Sequence, residues 1–199
     1  MSAQDDRPAP ADQQDHDPER PGWLWTYTGR RFWPRCPRAE DVCIEDVAHH
    51  LSMLCRFSGA TRTFYSVAEH CVRVSLECDP ADALAGLLHD AAEAYCADIP
   101  RPIKHEPGFD EFWRPIEDRL HAAVCAAFGI DAALPASVSE ADDRMAVTEM
   151  RDLHAVPRPR VTYVDWSTAY PGVIVPWSQW QAERIYALRF KNLKEGKEK

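Results

Sequence analysis

The sequence of 199 residues lacks any hydrophobic run that could cross a membrane, because no stretch approaches the roughly 20 apolar residues that a spanning helix needs. Its first 22 residues contain no apolar run either, which predicts that there is no signal peptide. These two absences predict a cytoplasmic protein that has no membrane partner.

Positive charge is also scarce in this chain. Lys and Arg number 23 against 32 Asp and Glu, which gives a formal net charge of -9. Since nonspecific binding to a nucleic-acid backbone depends on a basic surface, we expect no nucleic-acid polymer as a partner. A small phosphorylated ligand is not excluded, because one pocket can be locally positive on an acidic protein.

The seven cysteines include no Cys-x-x-Cys pair. Several of them fall on the apolar faces of predicted helices. This pattern indicates reduced, buried thiols in a cytosolic protein.

The composition divides the chain into three parts. Residues 1–22 are rich in Pro, Asp and Gln and are predicted to be disordered, because they cannot bury enough surface to offset chain entropy. Residues 23–192 form the expected domain, and residues 193–199 form a frayed, charged tail.

Most of the domain has the spacing of helices. Apolar periodicity, capping boxes and helix-ending glycines predict helices at 44–55, 66–78, 81–95, 116–128, 137–154 and from 178 onward. Two prolines within residues 98–104 predict a structured loop there. The Pro- and aromatic-rich residues 157–177 predict an extended arm with a short strand at 160–164. The predicted fold is an all-α, compact helical bundle with this arm packed over it.

Three ionisable side chains emerge from one strongly apolar segment, LAGLLHDAAEAY. Glu93 follows His89 by four residues and Asp90 by three, so a helix would point all three to about the same side. Burying such groups without a partner is costly, and a metal ion removes that cost.

One helix rarely completes a coordination sphere, so further ligands are expected on neighbouring helices. His70 lies among apolar residues of the second predicted helix, and Asp142 lies on the helix at 137–154. Asp143 remains an alternative to Asp142. Two imidazoles and two carboxylates suit Mn, Fe, Co, Ni or Zn.

The segments YSVAEH, LLHDAAEAYCADIPRPIK and EADDRM together resemble the HD-domain metal-dependent phosphohydrolases. The family pattern H…HD…D is filled here by His70, His89, Asp90 and Asp142. Within that superfamily the chain is similar to the compact bacterial 5′-deoxynucleotidases and the phage dATP triphosphohydrolases. The likeness runs from about residue 25 to residue 190.

The resemblance implies a role for further residues. Glu93 would orient or deprotonate the attacking water, and Asp98 would be a second acidic catalytic residue. Lys104 would meet phosphate oxygens, Arg31 would bind phosphate, and Trp33 would form an aromatic wall for the sugar or base.

The resemblance also implies a reaction. A dNMP would give nucleoside and phosphate, or a dNTP such as dATP would give nucleoside and triphosphate. One divalent ion (Mn, Co, Zn, Fe, Ni or Mg) would serve each site, with room for further Mg or Mn on the substrate phosphates, and the protein would be a homo-oligomer. The alternatives are an HD-type signalling nucleotide phosphodiesterase and a non-catalytic nucleotide-binding protein on the same fold.

Overall fold

A computed structural model of the protein describes residues 20, 22–155 and 164–197. These residues form seven α-helices and one two-stranded sheet, which confirms the predicted all-α bundle. The helices are α1 (Ile44–Met53), α2 (Val67–Glu77), α3 (Ala83–Leu88), α4 (Arg101–Lys104), α5 (Phe109–Phe128), α6 (Ala136–Leu153) and α7 (Gln179–Lys194). The tail predicted at 1–22 and the strand predicted at 160–164 fall almost wholly outside the described residues. Among the described residues, no helix has the length and apolar character that a bilayer crossing requires.

Helix α2 lies at the centre of the bundle and packs against α1, α3, α6 and α7. It begins where expected, because the Ser66 hydroxyl accepts a hydrogen bond of 3.1 Å from the backbone N–H of Glu69. Its apolar residues are buried around much of its circumference, which is typical of a helix with neighbours on several sides.

Gly86 brings α3 unusually close to α2. A Cβ atom at this position would lie 2.9 Å from the Cys78 sulfur and 3.1 Å from the Ser75 Cα, so any side chain would force the two helices apart. This close approach sets the separation between the segments that carry His70 and His89.

The third helix ends earlier than the sequence predicts. The expected helix at 81–95 is a short 3-10 turn at Pro80–Asp82, then α3 at Ala83–Leu88, and then a 3-10 turn at Ala91–Tyr95. Asp90 has φ -99° and ψ 12°, outside the α-helical region. Adjacent side chains of a continuous helix point about 100° apart, so the break allows His89 and Asp90 to converge.

The proline-rich segment also differs from the prediction. Arg101–Lys104 forms the one-turn helix α4 within the expected loop, because a proline in the first turn of a helix loses no hydrogen bond. Helix α5 begins at Phe109 rather than at 116 and includes Pro115.

A hairpin and the arm cover the bundle. Strands β1 (Leu24–Trp25) and β2 (Arg31–Phe32) pair antiparallel, and Phe32 is fully buried. The described part of the arm donates backbone N–H groups to bundle side chains, from Tyr170 to Thr148 (2.8 Å) and from Trp177 to Glu69 (2.7 Å).

Candidate metal centre

Four side chains from three parts of the bundle meet at one point. His70 comes from α2, His89 and Asp90 from the break after α3, and Asp142 from α6. The His70 Nε2 atom lies 3.3 Å from His89 Nε2, 3.1 Å from Asp142 Oδ1 and 3.7 Å from Asp90 Oδ2. The His89 Nε2 atom lies 3.2 Å from Asp90 Oδ2 and 4.0 Å from Asp142 Oδ1.

These separations fit a single coordinated ion. With metal–ligand bonds of roughly 2.0–2.2 Å, neighbouring ligand atoms of an octahedral or tetrahedral shell lie about 2.8–3.6 Å apart, and opposite atoms of an octahedron lie about 4.0–4.4 Å apart. The ligand atoms of His70, His89 and Asp90 lie 3.2–3.7 Å from one another, close to these values, and the Asp142 carboxylate lies 3.1 Å from His70 in the place of a fourth ligand. The donor set of two imidazole nitrogens and two carboxylate oxygens therefore fits a divalent cation.

Both imidazoles are oriented by hydrogen bonds on their far side. His70 Nδ1 lies 2.7 Å from Glu149 Oε1, and His89 Nδ1 lies 2.8 Å from the carbonyl oxygen of Gly86. An acceptor at Nδ1 holds one ring proton there, so Nε2 is the nitrogen that would bind an ion. Each Nε2 therefore faces the common centre.

Glu149 is fully buried and is the hub of a hydrogen-bond network behind the site. Besides His70, it accepts hydrogen bonds from the Tyr65 hydroxyl (2.9 Å) and from Arg56 Nε (3.1 Å). Burial tends to raise the pKa of Glu149, but the charges of Arg56 and His70 outweigh it and lower the pKa. Arg56 also lies 3.5 Å from the Asp90 carboxylate. Its guanidinium therefore contacts both Asp90 and Glu149, the residue that orients the His70 imidazole.

Asp142 and Asp143 have different surroundings. Both carboxylates pair with Arg101, but Asp142 is 22% exposed and also approaches His70, whereas Asp143 is 69% exposed. The pKa of Asp142 is lowered to about 2, because the imidazoles of His70 and His89 outweigh the opposing effect of burial. Of the two carboxylates, Asp142 is the one in position to bind the ion.

Glu93 and Lys104 lie beside the ligands. Glu93 is buried, and its Oε2 atom has no hydrogen-bond partner among the described residues. Its Oε1 atom accepts from Lys104 Nζ at 3.3 Å, and the same ammonium donates to Glu117 at 2.6 Å. Burial, and then the negative charges of Asp90 and Asp98, raise the pKa of Glu93 well above its usual value.

Asp98 follows a strained turn at the same end of the bundle. Ala97 has φ 72°, a left-handed conformation that costs free energy for a residue with a Cβ. Burial raises the pKa of Asp98, and the nearby charges of Arg56 and Lys104 oppose that rise. These neighbours place Asp98 within the charged surroundings of the centre.

Arg31 and Trp33 are held elsewhere, on and after the hairpin. The Arg31 guanidinium lies over the rings of Trp23 and Trp25, at 5.0 and 5.6 Å from their centroids. The Trp33 ring carries the Arg20 guanidinium at 4.1 Å. The structure therefore does not bring these two expected substrate-binding residues together with the ligand cluster.

Two supporting residues are absent from the set expected from the sequence. Glu149 lies seven residues after Asp142 on α6, and that spacing puts both on one helix face, which is a readable signal. Arg56 comes from a turn in which Phe57 and Ser58 both have positive φ, at 54° and 50°. Neither residue type favours that conformation, so nothing in the local sequence predicts where Arg56 points.

Metal affinity should rise with pH, because protons and a cation compete for the imidazole nitrogens. Burial and the Arg56 charge lower the pKa of His70, but Glu149 and Asp142 outweigh them and raise it to about 9. The pKa of His89 is also raised, since the adjacent Asp90 outweighs burial. Below about pH 9, an ion that binds here displaces at least one proton from the imidazoles. The association constant for the metal should therefore increase about tenfold per pH unit for each proton displaced. Calorimetric titration of metal-free protein with Mn²⁺ between about pH 6 and 8 measures this slope; an affinity independent of pH would contradict it.

Comparison with known proteins establishes the family of this chain. No family model matches it. The uncharacterized protein YfdR of Escherichia coli (strain K12) is 37% identical over 131 residues, which are 66% of this chain and 72% of YfdR. The chain belongs to the YfdR family. An uncharacterized protein of Rhodobacter capsulatus is 38% identical over 128 residues, which are 60% of this chain and 64% of that protein, so less than two thirds of its length is matched. Because both of these relatives are uncharacterized, membership of the YfdR family carries no activity to this chain.

Proposed function

We propose that this protein is a metal-dependent phosphohydrolase that acts on deoxynucleotides. The observation that carries the proposal is the convergence of four donor atoms beside a buried carboxyl group and a lysine. An ion with only a structural role would need neither a carboxyl group that can act as a base nor a positively charged side chain beside it. The resemblance to HD-domain phosphohydrolases supports the same reading.

His70, His89, Asp90 and Asp142 would hold one divalent ion. When bound, such an ion makes a water molecule a better nucleophile at neutral pH and draws charge from a phosphoryl oxygen. The remaining chemistry belongs to the side chains around it.

Glu93 is suited to accept the proton of the attacking water. A carboxylate with a raised pKa is a stronger base than an exposed one, and burial next to Asp90 and Asp98 raises the pKa of Glu93. As the water oxygen bonds to phosphorus, its proton passes to Glu93 and the bond from phosphorus to the 5′-oxygen of the nucleoside breaks. The proton then passes from Glu93 to that 5′-oxygen, so the nucleoside leaves as an alcohol and Glu93 is again a carboxylate. A monophosphate would release phosphate, and attack at the α-phosphorus of a triphosphate would release triphosphate.

Lys104 and Arg56 are suited to offset the charge of the phosphoryl group. Burial lowers the pKa of Lys104, but the carboxylates of Glu93 and Glu117 outweigh it, so the ammonium stays charged. The pKa of Arg56 is likewise raised by Glu149 and Asp90 against the effect of burial. Fixed cations in a partly dry site stabilise the charge of a phosphoryl transition state.

Replacing Glu93 with glutamine should lower kcat by about 10²–10⁴-fold, the usual contribution of a general base. The amide keeps the volume of the side chain but cannot accept the proton. Metal content should stay at the wild-type level, because Glu93 is not one of the ligands.

Glu117→Gln is the matched control, since Glu117 also bonds Lys104 but lies on α5. It should change kcat far less than Glu93→Gln. Steady-state rates and metal analysis of both variants test the assignment, and a Glu93→Gln protein that hydrolyses at the wild-type rate would refute it.

A substrate screen tests the proposal as a whole. Metal-stripped protein would be assayed with every natural deoxynucleoside mono- and triphosphate in the presence of Mn²⁺, Co²⁺, Mg²⁺ or Zn²⁺, with products separated by chromatography. We expect nucleoside plus phosphate, or nucleoside plus triphosphate, only when metal is added. No turnover of any nucleotide with any of these ions would end the proposal.

A further inference from the structure

A groove of about 710 Å³ opens next to Glu93, on the hairpin side of the bundle. Its walls come from β1 and the turn after it, from α1, and from the 3-10 turn at Ala91–Tyr95. The four metal ligands do not line it. Its volume lies within the usual range of roughly 300–1,000 Å³ for small-molecule sites.

The open part of the groove presents large apolar side chains to solvent. Trp25 is 47% exposed, Tyr27 is 60% exposed and Met53 is 58% exposed, and all three line the same groove. A concave surface with several exposed apolar side chains is more often a binding site than a surface on which such side chains are scattered. Flat rings and a polarizable thioether favour a flat aromatic ligand.

The groove is held open by polar contacts that fix its walls. The Tyr27 N–H donates to His50 Nε2 (3.0 Å), and His50 Nδ1 donates to the carbonyl oxygen of Ala94 (2.8 Å). The His50 imidazole thus joins the hairpin, α1 and the 3-10 turn. The buried Asp46 carboxylate also accepts from the Thr28 N–H (2.7 Å) and the Thr28 hydroxyl (3.0 Å). A groove with fixed walls needs little ordering when a ligand enters.

The lining residues of the groove favour the uncharged part of a nucleotide over its phosphate. No lysine or arginine is among the described residues that line the groove. The cations Lys104 and Arg56 lie instead with Glu93 and Asp90 at the metal centre. Glu93 is the buried residue that both regions share, and its Oε2 atom lacks a hydrogen-bond partner among the described residues.

We infer that this groove binds the nucleoside part of the substrate, with the base stacked near Trp25 and Tyr27 and the phosphate directed past Glu93 to the metal centre. The inference rests on the proposed function, because it orients the substrate with its phosphate at the metal and its base in the groove. Recognition by stacking accepts any base, so the groove binds nucleosides as a class.

Two groove variants test this inference, each with a matched control outside the groove. Trp25→Ala is paired with Trp180→Ala, an exposed tryptophan of α7, and Met53→Ala is paired with Leu76→Ala, an exposed aliphatic residue of α2. Calorimetry would measure binding of the four natural deoxynucleosides, which carry no phosphate, and steady-state kinetics would measure KM and kcat for the nucleotides.

We expect Trp25→Ala to weaken nucleoside binding and raise the nucleotide KM by about tenfold, the usual effect of removing one stacking side chain. Met53→Ala should act in the same direction. Neither should change kcat or metal content, and the two controls should behave as wild type.

Failure of this inference is distinguishable from failure of the proposed function. If the wild-type protein hydrolyses nucleotides but the groove variants keep wild-type KM values and nucleoside affinities, the groove does not bind the nucleoside, and the phosphohydrolase activity is still supported. If nucleosides bind through Trp25 but no nucleotide is hydrolysed, nucleoside binding in the groove is supported and the proposed hydrolysis is refuted. If Met53→Ala converts an oligomer to monomers without changing nucleoside binding, the groove is an interface between copies and the inference is wrong.

Discussion

Replacing His89 with alanine should remove the bound ion and lower the hydrolysis rate by a factor on the order of a thousand or more. The His89 Nε2 atom lies within 3.3 Å of His70 Nε2 and within 3.2 Å of the Asp90 carboxylate, so its loss opens the middle of the ligand cluster. A bound ion supplies several kcal/mol of transition-state stabilisation, and each ~1.4 kcal/mol is tenfold in rate. Metal content per chain and initial rates with saturating substrate measure both effects.

His121→Ala is the control for this variant. His121 also bonds a backbone carbonyl, that of Ala132 at 3.1 Å, but it lies on α5 away from the ligands. The control should keep one ion per chain and the wild-type rate. Added metal should not restore activity to His89→Ala; full hydrolysis by that variant would collapse the assignment.

Replacing Glu149 with glutamine should weaken metal binding and destabilise the fold together. Removing the outer partner of a ligating histidine usually lowers metal affinity by about 10–100-fold. The same change removes the fully buried negative charge that faces Arg56, and breaking a buried ion pair costs about 3–5 kcal/mol. The contact of Arg56 with Asp90 offsets part of that loss, so we expect destabilisation near the lower value.

Glu140→Gln provides the control on the same helix. Glu140 is exposed, and its contact with Arg144 is 4.0 Å long, so its removal should leave stability and metal affinity unchanged. Chemical denaturation of the metal-free proteins separates the effect on folding from the effect on the ion. Equal unfolding free energies and equal metal affinities for Glu149→Gln and wild type would show that the buried network does not support the centre.

The parts of the fold that depend on local signals could be predicted from the sequence. Ser66 and Ser178 each accept a hydrogen bond from the backbone at the start of a helix, as their capping patterns predict. The break after α3 is a different case, because LAGLLHDAAEAY has the pattern of one continuous helix. The close packing at Gly86 and the convergence of His89 and Asp90 on one point depend on tertiary contacts, so the apolar periodicity of the sequence cannot predict them.

The candidate site divides in the same way. His70, His89, Asp90 and Glu93 stand out in the sequence because they are polar groups in apolar helices, and the fold brings them together. The positions of Arg31 and Trp33 depend on the path of the hairpin, where Arg31 stacks on Trp23 and Trp25, and on the contact of Trp33 with Arg20. Arg56 reaches the site through a left-handed turn and contacts Glu149, which lies 93 residues further along the chain. Such long-range contacts carry no local sequence pattern.

The most direct test of the metal centre is anomalous diffraction from crystals of the protein grown with Mn²⁺. We expect one anomalous peak per chain, about 2.0–2.2 Å from the Nε2 atoms of His70 and His89 and from the carboxylates of Asp90 and Asp142. Absence of a peak at this point, or a peak held by Asp143 in place of Asp142, would contradict the account.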